Sequence, residues 1–186
     1  MKILLVCFAN TCRSPVAEAL LSAEVSQDRH VEVVSRGIAG GPGTTPPALE
    51  RALLDAGVTI KVPSGQVLQR DDARAADLLL FVERRLLREA VVTDPSLWPR
   101  SFTLREFARR ATINPPSRDE ESFAQWLSVV HATRRREELL DDDDTEDVAD
   151  PGLEGTEDDF ATMIGELRAD VARVAPFVVS WPASEE

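Results

Sequence analysis

The opening of the chain, MKILLVC followed by FANTCRSP, limits its fold more than any other stretch. The near-continuous ILLV of residues 2–6 has no polar face, so it suits a strand covered on both sides, as in a parallel sheet. Ser14 and Pro15 then signal a helix start, with the hydroxyl as cap, proline at the first position and the helix running to about residue 25. The first unit is therefore strand, short turn, helix.

The same alternation continues. Residues 31–34, 78–82 and 101–103 are the other strand candidates, and the helical patterns between them are the signature of βα units around a parallel sheet. Residues 47–56 form a helix ended by Gly57. Thr103 with Glu106, Ser117 with Glu120, and Thr156 with Asp159 each set a capping hydroxyl three residues before an acid, marking three later helix starts. In the last helix Phe160, Met163, Ile164, Leu167, Val171 and Val174 recur at helical spacing and should dock on the sheet. Phe123, Trp126, Leu127 and Val130 make a second stripe, read as packing on the domain rather than as a partner surface.

With 186 residues, 43% of them hydrophobic, the chain suits one domain with a full core, residues 1–186. The apolar start is shorter than a signal peptide's core, and no stretch approaches a membrane span, so the expected location is cytoplasmic with no membrane partner. A net charge of -12 argues against nucleic acid and anionic lipid. Much of that excess lies in residues 141–147, DDDDTED, read as a solvated mobile linker rather than a metal site. Arg134, Arg135 and Arg136 just before it read as a helix C-terminal turn. Cys7 and Cys12 cannot frame a secreted domain. With only His30 and His131 available, nothing resembles a zinc-ligand set.

The chemistry falls at the first strand-to-helix turn, Cys7-Phe8-Ala9-Asn10-Thr11-Cys12-Arg13-Ser14. The carboxyl edge of a parallel sheet is the usual ligand site. Backbone N–H groups of a short loop entering a helix can ring a tetrahedral oxyanion, the helix dipole adds positive potential, and Arg13 offers a fork for two phosphate oxygens. The same field favours a thiolate on Cys7, with the Ser14 hydroxyl placed to donate to it. Phosphate binding is thus expected from residues 8–14 and nucleophilic attack from Cys7.

CFANTCRSP resembles the phosphate-binding loop of the low-molecular-weight protein-tyrosine phosphatase family, as do Ser35-Arg36-Gly37, residues 76–83, and an Asp-Pro just before the final helix. The resemblance covers most of the chain. It implies an α/β three-layer sandwich, a four-stranded parallel sheet in the order 2-1-3-4 with helices on both faces, and a phosphocysteine mechanism needing no metal or cofactor. It also implies that Asn10 and Ser35 hold the loop in shape. A histidine that completes this network in the family is replaced around Val62. Residues 111–149 are longer than the family segment and read as a helical and acidic insertion.

A leaving oxygen or nitrogen needs a proton from a general acid. Asp94-Pro95 precedes the fourth strand and belongs at the far edge of the sheet, whereas Asp150-Pro151 follows it and can return to Cys7, so Asp150 is the expected acid and later the base that activates water. Gly152 and Leu153 stand where many members carry tyrosines, and Thr11 resembles the phosphoarginine phosphatases of the family, so phosphotyrosine and phosphoarginine both remain expected substrates. Cys12 is implied as a redox partner for Cys7, or is a packing residue. Two alternatives stand beside this reading. Arsenate reduction would use the same anion loop, but with no distal cysteine it would need a low-molecular-weight thiol. A phospho-binding protein without turnover would require a misplaced loop or acid.

Overall fold

The computed structural model describes residues 1–60, 65–141 and 144–181. Strands β1 (Lys2–Cys7), β2 (Glu32–Gly37), β3 (Leu78–Phe81) and β4 (Ser101–Thr103) lie within a residue or two of their expected positions at most ends. They form one parallel sheet in the order β2-β1-β3-β4, with Cys7 opposite Gly37 at the carboxyl edge. Ile3 to Val6 and Leu78 to Phe81 are fully buried, which requires cover on both faces and explains the absence of polar alternation.

Helix α1 (Arg13–Glu24), α2 (Pro47–Asp55), α5 (Leu104–Ile113) and the long α8 (Glu157–Val178) pack together, α8 touching the other three. Helices α3 (Arg70–Ala75) and α4 (Arg84–Thr93), with the 3₁₀ turn Pro95–Arg100, form a second group over β1, β3 and β4. All six residues of the expected α8 stripe are buried. Thr156 and Asp159 form the expected capping box, and Thr103 accepts from the Glu106 amide. Gly57 has φ 64°, the left-handed conformation that ends α2 without a Cβ penalty.

Four expectations are corrected. Ser14 is not the cap of α1. The helix begins at Arg13 with no side-chain cap bond, Pro15 is its third residue, and the Ser14 hydroxyl is used elsewhere. Ser117 only turns the chain, while helix α6 (Phe123–Ala132) starts at Ser122 in a capping box with Gln125. The signal five residues earlier misled because both serines have an acceptor three residues on. Arg134, Arg135 and Arg136 do not form a helix C-terminal turn: Arg134 lies past the end of α6, and Arg135 and Arg136 cap and begin the next helix. The Arg134 side chain is 1% exposed, bonded to Glu106 and to the carbonyls of Trp98 and Ser101, and its guanidinium lies 3.3 Å from the Trp98 ring centre. Burial pulls its pKa down to about 10, against the pull of Glu106. Finally, the described end of the acidic run is fastened: Glu146 pairs with Arg84 and Arg109, and Asp147 accepts from the Arg84 amide.

The stripe on α6 packs inward as expected. Trp126 sits among Phe107, Phe123, Phe177 and Trp181, with its indole N–H on the Asn114 carbonyl at 2.8 Å. A short helix α7 (Arg136–Leu140) leads into the acidic run beside α4.

Candidate active site

β1 ends at Cys7, and α1 begins six residues later at Arg13, so a tight turn separates strand from helix. Pairing continues beyond the strands: the amides of Ile38 and Ala39 donate to the carbonyls of Cys7 and Phe8 at 3.0 and 2.8 Å. Close approach here demands glycine. A Cβ on Gly37 would lie 2.7 Å from the Phe8 carbonyl oxygen, and one on Gly41 would lie 2.4 Å from the Ala9 oxygen and from Thr11 Oγ1. The second strand thereby clamps the turn from the side.

Within the turn, Asn10 adopts φ 51°, a left-handed conformation asparagine tolerates, and so aims its amide N–H at Cys7 Sγ, 3.2 Å away. The Ser14 hydroxyl donates to the same sulfur at 3.0 Å. Two donors thus converge on a buried thiol at the mouth of a helix N-terminus, an arrangement that favours negative charge on sulfur. The Asn10 side-chain amide bonds Ser14 Oγ at 3.1 Å and Ser35 Oγ at 2.9 Å, while its oxygen accepts from the Gln66 amide at 3.2 Å. Val62, the expected place of the replaced histidine, lies outside the described residues.

Arg13 is 3% exposed. One terminal nitrogen donates to Glu83 and to the Val148 carbonyl at 3.1 Å, and the other donates to Asp150 Oδ2 at 2.6 Å. Asp150 reaches it because the amide of Val148 bonds the Val82 carbonyl, just beyond the end of β3, returning the chain to the carboxyl edge. The half-exposed Asp150 carboxylate also accepts from the Gly152 amide at 3.0 Å. Asp94 instead caps the turn leading into the start of β4, its carboxylate held below the usual range by bonds from Ser96. The two Asp-Pro pairs separate as the order of strands required.

Thr11 is buried, bonded to the Ala9 carbonyl. Cys12 is buried too, and burial, with Asp150 and Cys7 adding to it against Arg13, pushes its thiol up to about 12. At the rim Phe8 is 44% exposed and carries the Arg85 guanidinium 5.8 Å from its ring centre. Cys7, Arg13, Asp150, Asn10, Ser14 and Ser35 therefore meet at one edge. Sequence reasoning missed Glu83 and Glu18. Glu83 sits just past β3 at the same edge as Cys7, and Glu18 is one helical turn after Ser14, accepting from the Ser35 hydroxyl at 2.6 Å. Among the described residues, no three His, Cys, Asp or Glu side chains converge on a possible metal position.

Residues 2–140 match the family model described as low molecular weight phosphotyrosine protein phosphatase. The chain is 30% identical over 129 residues to "Probable low molecular weight protein-tyrosine-phosphatase EpsP" of Ralstonia solanacearum, covering 69% of this chain and 87% of that protein. It is 27% identical over 135 residues to the low molecular weight protein-tyrosine-phosphatase Wzb of Escherichia coli K12, covering 72% and 90%. Among solved structures, a YwlE mutant from Bacillus subtilis superposes with a TM-score of 0.68 at 21% identity, covering 97% of this chain and 99% of that one. The YwlE arginine phosphatase from Geobacillus stearothermophilus gives 0.67 at 24% identity, covering 94% and 90%. No helix among the described residues is long and apolar enough to cross a membrane. The sheet order, the cysteine-to-arginine turn and the match over residues 2–140 agree, and the chain belongs to the low molecular weight phosphotyrosine protein phosphatase family.

Proposed function

We propose that this phosphatase acts through a phosphocysteine on Cys7. The supporting observation is the meeting of Cys7, Ser14, Arg13 and Asp150 at one sheet edge, with Ser14 Oγ 3.0 Å from Cys7 Sγ and Asp150 2.6 Å from Arg13. Cys7 sulfur attacks phosphorus while the bond to the leaving oxygen or nitrogen breaks, and Asp150 gives that atom its proton. Arg13 and the turn formed by Phe8, Ala9, Asn10, Thr11, Cys12, Arg13 and Ser14 hold the phosphoryl oxygens. Asp150 then takes a proton from water, the oxygen attacks phosphorus, and Cys7 leaves as a thiolate steadied by the Ser14 hydroxyl. Arg13 Nη1 is held by Glu83 and the Val148 carbonyl, and Nη2 gives one of its two N–H groups to Asp150, so the fork left for phosphate is the second Nη2 N–H with Nε.

The substrate is a phosphorylated protein residue, phosphotyrosine in the first place, as the names of the curated relatives suggest. Phosphoarginine is the second reading, favoured by Thr11 and by the arginine phosphatases among similar structures. The exposed Phe8 face suits either planar group. Cys12 serves as a redox partner: a sulfenic acid on Cys7 would condense with the Cys12 thiol to a disulfide and water. The chain works as one unit over residues 1–186 in the cytoplasm, with residues 111–149 an insertion that docks on it.

Hydrolysis of p-nitrophenyl phosphate by the wild type and Cys7→Ser, with a chelator present and at several pH values near 6, tests this reading. Activity in the wild type alone supports it. A wild type that binds phosphate without turnover would favour arsenate reduction or a binding role.

A further inference from the structure

We propose that Glu18 is a positioning residue that anchors, through Ser35 and Asn10, the hydrogen-bonded network holding the Ser14 donor against Cys7. The relay begins and ends on one helix. Ser14 and Glu18 are four residues apart in α1 and so share a face. Between them the path leaves the helix through Ser35 on β2 and Asn10 in the turn, then returns. Each step has one permitted direction. A carboxylate only accepts, so at 2.6 Å the Ser35 hydroxyl must give its proton to Glu18 and keep lone pairs for Asn10. The Asn10 oxygen is already taken by the Gln66 amide, so its NH₂ faces both serines, at 2.9 and 3.1 Å. Ser14 oxygen thereby accepts from Asn10, and its proton goes to Cys7 Sγ at 3.0 Å rather than to the longer alternative, the Arg36 carbonyl at 3.3 Å.

Glu18 acts through Ser35: it holds that hydroxyl as an acceptor for the Asn10 NH₂, which the Gln66 amide orients and which in turn meets Ser14 Oγ. A glutamine at 18 would keep the shape and lose the rule, because its amide can donate to Ser35, free that hydroxyl to turn and weaken the grip on Asn10. The role rests on Cys7 being the nucleophile, which Cys7→Ser tests separately.

The experiment compares wild type, Glu18→Gln, Glu18→Asp and Ser35→Ala. It measures kcat and KM on p-nitrophenyl phosphate, the pH profile of iodoacetamide modification assigned to Cys7 by peptide mass spectrometry, and thermal melting. Partial loss of a hydrogen bond to a charged group through a relay predicts a roughly tenfold lower kcat. Glu18→Gln should show that fall, KM within about twofold and an alkylation profile moved to higher pH, while Glu18→Asp restores at least half of kcat. Ser35→Ala should shift the profile in the same direction, and this arm reads out even if Glu18→Gln does not fold. An unchanged profile in both variants overturns the proposal, as does a loss that follows melting temperature with no rescue by aspartate. If Cys7→Ser itself remains active, the nucleophile assignment fails instead.

Discussion

Replacing Glu106 by glutamine should cost far more than an ordinary surface change, although the two side chains have the same shape. Glu106 is 2% exposed and lies between two buried guanidiniums, Arg110 Nε at 2.9 Å and Arg134 Nε at 2.9 Å. Burial already disfavours charge on Arg134, whose pKa is pulled down to about 10, and Glu106 is the main compensation. A neutral amide would leave that cation buried among Trp98, Phe102 and backbone carbonyls. Breaking a buried pair on one side costs about 3–5 kcal/mol. At roughly 2–4 °C per kcal/mol for a chain of this size, melting should fall by about 6–20 °C. The cluster lies along β4, the edge strand that β3 separates from β1, so activity per folded molecule should stay within about twofold. Differential scanning calorimetry with Glu106→Gln, Arg134→Met and the double variant decides the matter. Removing both charges should restore much of the loss, since the penalty is for the orphaned cation. A single variant that loses under about 1 kcal/mol, or a double variant no more stable than Glu106→Gln, would refute the reasoning.

Asp150→Asn should slow turnover by about 10²–10⁴-fold with an unchanged or lower inhibition constant for inorganic phosphate, because it removes both the acid and the carboxylate that competes for Arg13; Asp94→Asn, tested alongside, should leave kcat within about twofold. Gly37→Ala should lower both melting temperature and kcat/KM, by about tenfold or more for the latter, because its methyl group meets the Phe8 carbonyl oxygen at 2.7 Å, where only backbone can yield. Burial, with Glu83 and Asp144 nearby, raises the Asp147 carboxyl, so the folded chain binds its proton more readily than the unfolded one and stability from this group is lost as pH rises through the carboxylate range. Asp147→Asn, which keeps an oxygen for the Arg84 amide, should therefore melt no lower than wild type at pH 7, with any gain fading toward pH 4.

The parallel sheet was legible because its strands are buried on both faces, and an uninterrupted ILLV or LLLF leaves no polar side to turn toward water. Cys7, Arg13 and Asp150 followed from chain order: a residue after a strand arrives at the carboxyl edge, and a residue before one does not. What stayed hidden depended on partners distant in sequence. Ser14 was read both as a helix cap and as a donor to Cys7, because one hydroxyl can serve either use; the fold keeps the second and drops the first. Arg134 read as part of a helix C-terminal turn because composition cannot show that Trp98, Phe102 and Glu106 would close over it. Glu18 and Glu83 are acids among 33 acidic residues, and nothing in their immediate neighbours separates them from the rest.

Between Asp147, bonded to the amide at the start of α4, and Asp150, which meets Arg13, the chain has only two intervening residues. Fully extended, three residue steps span about 10 Å, so the carboxylate explores a volume of a few nanometres cubed at most. Confinement of that kind corresponds to a local concentration in the upper millimolar range or above, the regime of a short tether. Arg13 thus meets its counter-ion as an intramolecular neighbour, and any phosphorylated group entering the site competes with a partner that never diffuses away. Phosphate affinity and acid placement are then set together by the length of one short strap, and lengthening it by a single glycine should loosen the second while tightening the first.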